Sequence, residues 1–246
     1  MKTGSFNLDS NGERITNKTY GSMDDSEKIV LFCPGFPGTN RLVELAPSLE
    51  ATSTALVEIN YRGSKKSDGK FSFFKPCNDI KATAEYLKHE YNPPLIRALG
   101  YDMGAVYLTN VVRYEPDLFS DIILLNPVID TASFFSDEPL MKELWTHAQD
   151  ILSLRSPVQY KPVSLSLEPY KPEIKDMNVG FNPVHFAEDL KTPIHIVQST
   201  ADEVLSPEFA KKFYALLTCK KKYSEIPNAM HDLTGNEEQL IQAIIR

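Results

Sequence analysis

Leu99-Gly100-Tyr101-Asp102-Met103-Gly104-Ala105 is the stretch whose reading decides how this chain folds. The run before it, Pro94 to Leu99, is short, apolar and bracketed by breakers, which predicts a buried strand. After it, Ala105, Val106, Leu108, Val111 and Val112 recur at helical spacing. A strand passing straight into a helix through Gly-x-Asp-x-Gly needs a tight, strained turn, and small residues must flank its apex. The apex side chain, Asp102, is then thrown clear of the sheet, and the N–H of Met103 points into the same space.

Working outward, strand and helix patterns alternate. Gly4 to Tyr20 alternates weakly and predicts a hairpin of two strands. Lys28 to Cys33 is a buried strand ending at Pro34-Gly35-Phe36-Pro37-Gly38, after which Thr39-Asn40 caps a helix through about Leu49. Ala55 to Tyr61 is the next strand, then a polar loop from Arg62 to Lys70 and a helix from about Asn78 to Glu90. Beyond the central turn, Asp121 to Asn126 is another buried strand. Pro193 to Gln198 resumes the sheet. A helix at 207–219, a strand at 222–226 and a final helix at 237–245 close the chain. Such alternation means an α/β fold, a mostly parallel sheet with helices on both faces. Residues 127–190 break the pattern with one amphipathic helix, about Pro139 to Leu154, followed by a Pro-rich stretch. A long insertion of this kind reads as a lid over a core of residues 1–126 and 191–246. Its Phe134, Phe135, Leu144 and Trp145 are the expected apolar wall of a pocket over Asp102.

Composition sets the bounds. The chain has 246 residues, 42% of them hydrophobic and 24% charged, which suits one sizeable domain with an ordinary core. No apolar run approaches the length of a membrane span, and Met1-Lys2-Thr3-Gly4-Ser5 does not resemble a secretory signal. The three cysteines, Cys33, Cys77 and Cys219, are odd in number and widely spaced, so they read as reduced thiols of a cytoplasmic protein and not as a zinc site. A net charge of −7 argues against nucleic acid as a partner. The expected partner is a small-molecule substrate, with no membrane and no cofactor or metal; nothing in the sequence reads out an oligomeric state.

Three further segments bear on chemistry. Pro34-Gly35-Phe36-Pro37 follows an early strand, Asp202 sits at the end of a late one in Ser199-Thr200-Ala201-Asp202-Glu203-Val204, and His231 follows the last strand in Asn228-Ala229-Met230-His231-Asp232. Of the other histidines, His89 and His147 fall on helix surfaces, His195 lies within a strand and His185 in the insertion. With Gly-x-Asp-x-Gly, this chain order resembles the α/β-hydrolase superfamily, in which nucleophile, acid and histidine follow one another in this sequence. Asn60-Tyr61-Arg62-Gly63-Ser64-Lys65-Lys66-Ser67 also resembles that superfamily's Arg-Gly-x-x-x-Ser loop. The resemblance spans about Lys28 to His231. It implies a catalytic set of Asp102, Asp202 and His231, with the N–H groups of Phe36 and Met103 as oxyanion donors. Two departures stand out. Pro34 replaces the usual His of the epoxide hydrolase His-Gly-x-Pro, and the apex is Asp rather than Ser.

An aspartate at the apex is already ionised and needs no base, but its attack on an ester would leave a reactive anhydride. It suits displacement at sp³ carbon, leaving an alkyl ester that water, activated by a histidine, then hydrolyses. The resemblance to epoxide hydrolases and haloalkane dehalogenases implies this route. The lid would then supply hydroxyls over a leaving oxygen, for which Tyr160 and Tyr170 are available, or an N–H for a leaving halide, for which Trp145 is the only indole. The flanks Tyr101 and Met103 resemble instead a serine esterase or peptidase elbow, Gly-Tyr-Ser-Met-Gly. A serine-hydrolase relative whose nucleophile has become Asp, and which binds ligands without turnover, is the alternative.

Overall fold

The computed structural model describes residues 1–36, 42–154 and 168–245, with backbone alone for 147–154. Eight strands form one sheet: β1 (Thr3–Ser10), β2 (Glu13–Tyr20), β3 (Lys28–Cys33), β4 (Thr54–Glu58), β5 (Leu95–Asp102), β6 (Ile122–Pro127), β7 (Ile194–Ser199) and β8 (Lys221–Ile226). Their spatial order is β1-β2-β4-β3-β5-β6-β7-β8. The first two pairings, β1 with β2 and β2 with β4, are antiparallel. Every pairing from β4 to β8 is parallel. Crossovers between parallel strands need helices, and those helices cover both faces.

The helices are α1 (Ala46–Glu50), α2 (Pro76–Tyr91), α3 (Met103–Tyr114), α4 (Thr131–Ser136), α5 (Glu138–Leu154), α6 (Lys171–Asp176), α7 (Pro207–Leu216) and α8 (Glu237–Ile245). Two apolar layers result. One lies under α2, α3 and α7 and includes Leu31, Val57, Ile80, Leu87, Val106 and Leu124. The other lies under α1 and α8 and includes Val30, Phe32, Leu49, Leu99, Leu125 and Leu240. Adjacent residues of β3 and β5 thus serve opposite layers, as the alternation of side chains along a strand requires. Among the described residues no helix is long and apolar enough to cross a membrane.

The main differences from the sequence expectations lie at element ends. The expected cap Thr39-Asn40 lies outside the described residues, and the helix there begins as a 3₁₀ turn, Leu42–Leu45, before α1. The strand expected through Tyr61 leaves its ladder after Glu58. The Asn60 amide there donates to the Thr16 carbonyl at 2.6 Å, and the Asn60 carbonyl accepts from the Ser67 hydroxyl at 2.6 Å. The central strand runs on to Asp102 itself, with a register shift against β6 between Tyr101 and Asp102. Residues 127–190 carry α4, α5 and α6, then a π turn, Met177–Phe181, and two 3₁₀ turns, Pro183–His185 and Ala187–Asp189.

Candidate active site

The turn between β5 and α3 puts Asp102 at φ 52° and ψ −121°, a strained conformation for a residue with a side chain. Its glycine flanks follow from packing. A Cβ at Gly104 would fall on the Cys33 carbonyl, and one at Gly100 would meet the Gly104 carbonyl at 2.8 Å. The strand, the turn and the start of α3 can approach β3 this closely only with hydrogen at those positions. The loop after β3 comes equally close: a Cβ at Gly35 would lie on the Asp102 carboxylate.

That approach brings the Phe36 N–H to Asp102 Oδ2 at 3.1 Å. The Met103 N–H, at the start of α3, acts on the same carboxyl and lowers its pKa. The loop is held from behind by the buried Tyr61, whose hydroxyl donates to the Pro34 carbonyl at 3.2 Å. Asp102 is only 5% exposed. Burial pushes its carboxyl up to about 6, against the lowering effect of His231 and of the Met103 and Phe36 N–H groups.

His231 lies in the loop after β8. Its Nδ1 faces both carboxylate oxygens of Asp202, at 3.0 and 2.9 Å. Asp202 is fixed in turn: Oδ1 accepts the N–H groups of Val204 and Leu205, and Oδ2 accepts Gln198 Nε2. The neighbouring acid, Glu203, takes the backbone N–H of His231 at 2.9 Å rather than its ring. Burial alone would lower the His231 pKa. The Asp202 hydrogen bond, with the charges of Asp102, Asp202 and Glu203, outweighs that and raises it.

Sequence reasoning missed the residues that hold this loop. The Tyr101 hydroxyl and Asn126 Nδ2 both donate to the His231 carbonyl, at 3.1 and 2.8 Å. Asn126, next to the last residue of β6, has φ 40° and also bridges to Ser199 on β7. The only sequence signal for Tyr101 is its place beside the apex; Asn126 carries none.

The expected wall residues lie on the side of the loop that carries Phe36. Trp145 stacks on Phe36 at 5.6 Å between ring centroids, and Tyr170 meets Trp145 at 5.5 Å and Phe71 at 5.6 Å. Phe135 packs edge-on against Phe73, Leu144 is half-buried against the same core, and Phe134 is buried. Tyr160 lies outside the described residues. Phe134 also borders a separate cleft of about 320 Å³ between the start of α4 and the loop carrying Val204 and Leu205. Three other histidines stand apart: His195 Nε2 pairs with Ser224 Oγ at 2.9 Å and is pulled down to about 4, mainly by burial, while His89 and His185 are turned to the surface. The Arg62 guanidinium does not enter this constellation; it is buried against Asp79 at 2.5 Å and Ser10 at 2.9 Å.

The fold is shared with solved structures. Est1E from Butyrivibrio proteoclasticus, solved with ferulic acid bound, superposes with a TM-score of 0.75 over 97% of this chain and 96% of that one, at 19% identity. The chain has the α/β-hydrolase fold. An α/β serine hydrolase homologue from Coxiella burnetii matches over 100% of this chain and 97% of its own at 17% identity, with a TM-score of 0.69. CarC, a serine hydrolase involved in carbazole degradation, matches over 99% and 98% at 15% identity, with a TM-score of 0.72. A family model described as PhoPQ-activated pathogenicity-related protein matches residues 158–246. Among curated proteins none matches the sequence.

Proposed function

We propose that this chain is a hydrolase in which Asp102 attacks an sp³ carbon, of an epoxide or a haloalkane, and forms an alkyl ester that His231-activated water hydrolyses. One observation carries the reading: Asp102 Oδ2 already accepts the Phe36 N–H at 3.1 Å, so one carboxylate oxygen is held by a backbone donor and the attack is assigned to Oδ1. In the first step an Oδ1–carbon bond forms and the carbon–halogen or carbon–oxygen bond breaks. The electron pair leaves on the halide, or on an alkoxide that takes a proton from water or a lid hydroxyl such as Tyr170. In the second step His231 takes a proton from water, which adds to the Asp102 carbonyl carbon. The negative charge grows on Oδ2, against the Phe36 and Met103 N–H groups; collapse breaks the bond from the Asp102 carbonyl carbon to Oδ1, and the leaving oxygen takes the proton from His231 to depart as the alcohol. Asp202 keeps the ring of His231 oriented and its charge balanced. Residues 127–190 act as the lid. Trp145 Nε1, buried and without a hydrogen-bond partner among the described residues, suits a leaving halide.

The likeness to serine hydrolases and esterases supports a second reading, a relative that has lost its serine and keeps a ligand site. One pair of variants separates the two. His231→Ala incubated with styrene oxide or 1-bromohexane should accumulate a stoichiometric adduct on Asp102, seen by intact mass and mapped after proteolysis. No adduct, together with p-nitrophenyl acetate hydrolysis gained by Asp102→Ser, overturns the first reading in favour of the second.

A further inference from the structure

The cleft of about 320 Å³ between α4 and the loop after β7 touches the frame of the proposed site at both walls. One wall includes Val128, whose N–H donates to the Asp102 carbonyl at 3.1 Å. The other includes Val204 and Leu205, whose N–H groups hold Asp202 Oδ1 at 2.9 and 2.8 Å. Phe134 and Leu140 complete an apolar lining, which suits the body of a small molecule. The charged groups are of one sign. Asp130 and Asp137, at the two ends of α4, line the cleft, and among the described residues no lysine, arginine or histidine does. The two carboxylates differ. Asp130 is spent within the protein: Oδ1 accepts the N–H groups of Ala132 and Ser133 and Asn182 Nδ2, and Oδ2 accepts the Ser133 hydroxyl. Burial would raise its pKa, but these hydrogen bonds outweigh that and hold it below the ordinary value, so it is a fixed negative charge at neutral pH. Asp137 is exposed. Its Oδ1 accepts the Leu140 N–H at 3.0 Å, and its Oδ2 has no partner among the described residues.

We propose that this cleft takes the non-reacting end of the substrate, an ammonium group carried on an apolar chain or ring, with the apolar part against Val128, Phe134 and Leu205 and the cation on Asp137 Oδ2. This deepens the proposed function and rests on it for the role of the cleft, though not for its occupancy. The choice of a cation follows from the two carboxylates. A neutral ligand would gain only the apolar contact, and an anion would meet like charge beside walls that screen it poorly. The ion pair at Asp137 is open to water on one side, so the preference it creates is modest.

Three soluble probes test this. 3-Phenylpropylammonium, 3-phenylpropan-1-ol and 3-phenylpropanoate share a phenyl ring and a chain and differ in charge. None alkylates a carboxylate, so their binding reads the cleft whether or not Asp102 is a nucleophile. In NMR titrations at low salt the ammonium should bind about fivefold more tightly than the alcohol, and the carboxylate more weakly than either. The amide signals of Val128, Val204 and Leu205 should move. Salt at about 0.5 M should erase most of the ammonium preference and leave the alcohol unchanged. Asp137→Asn keeps an oxygen for the Leu140 N–H, so it should melt as the wild type does. It should bring the ammonium to the level of the alcohol and leave the alcohol within about twofold. Ser136→Trp, at the exposed rim, should exclude all three probes. An ammonium bound no more tightly than the alcohol overturns the proposal. So does a preference that survives Asp137→Asn or high salt, or binding that survives Ser136→Trp. The role of the cleft in the reaction is read separately in His231→Ala, where 6-bromohexylammonium should form the Asp102 adduct several-fold faster than 1-bromohexane at equal low concentration. Equal rates overturn that role; no adduct from either bromide, with the ammonium preference intact, overturns Asp102 as the nucleophile instead.

Discussion

At the scale of single residues the cost of the site is concentrated in Asp102. Its backbone is strained, and its carboxyl is pushed from 3.8 to about 6, chiefly by burial. The sign of the linkage follows. Between those values the folded chain binds more protons than the unfolded one, so the group penalises folding increasingly as pH rises from 4 to 6 and fully above it. Asp102→Asn should therefore raise stability by up to about 3 kcal/mol at pH 7 and by almost nothing below pH 4. Urea unfolding at the two pH values reads this directly; equal gains at both would mean that the carboxylate is not strained by burial. Alkylation of Asp102 should rise with pH through about 6 in the presence of His231. Hydrolysis of the ester needs neutral His231, whose pKa lies above its ordinary value, so the second step should come in at higher pH than the first.

At the scale of elements, the crossing of α3 over the β3 loop sets how closely donors and carboxylate meet. The N-terminus of α3 begins at Met103, so its unpaired N–H groups and its dipole both favour an anion at Asp102. Gly104 is the contact point, packed on the Cys33 carbonyl where a side chain has no room. Gly104→Ala should cost roughly 1–3 kcal/mol by overpacking and should push the turn away from Phe36. Thermal unfolding measures the first effect. The second shows as a slower rate of adduct formation in the Gly104→Ala, His231→Ala double variant than in His231→Ala alone. An unchanged melting temperature and rate would mean that the β3 loop yields freely.

At the scale of the whole molecule, the sheet gathers residues from positions 36, 102, 126, 202 and 231 to the carboxyl ends of its parallel strands, where open α/β sheets place ligands. A buried ion pair locks the antiparallel edge to this body. Asp79 on α2 accepts Arg62 Nη2 at 2.5 Å, the Arg62 backbone N–H at 2.9 Å and the Ser10 hydroxyl at 2.8 Å, joining β1, the loop after β4 and a helix. Asp79→Ala leaves the Arg62 guanidinium buried and unpaired, and should cost about 3–5 kcal/mol in chemical unfolding. Arg62→Met with Asp79→Leu should recover most of that loss, because the penalty belongs to the stranded charge. A double variant as unstable as Asp79→Ala would assign the loss to the hydrogen bonds of Ser10 and the backbone instead.

Much of the α/β pattern, and the residues that make up the candidate site, were legible in the sequence, because both rest on short-range rules. Apolar runs such as Ile29 to Cys33 and Ile122 to Leu125 mark buried strands, helical spacing marks α2 and α3, and only small flanks allow a turn as sharp as the one at Asp102. The order Asp102, Asp202, His231 is likewise a property of the chain. What the tertiary structure alone decided are meetings between distant residues. Asp202 faces the His231 ring while Glu203 takes its backbone. The carboxylate of Asp102 lies against a loop 66 residues earlier in the chain. Asn126 and Tyr101 tether the histidine loop, and Trp145 lands on Phe36. No local propensity encodes these pairings: a hydrogen bond across the sheet depends on strand order, register and the closeness of packed backbones, and those exist only once the whole sheet has assembled.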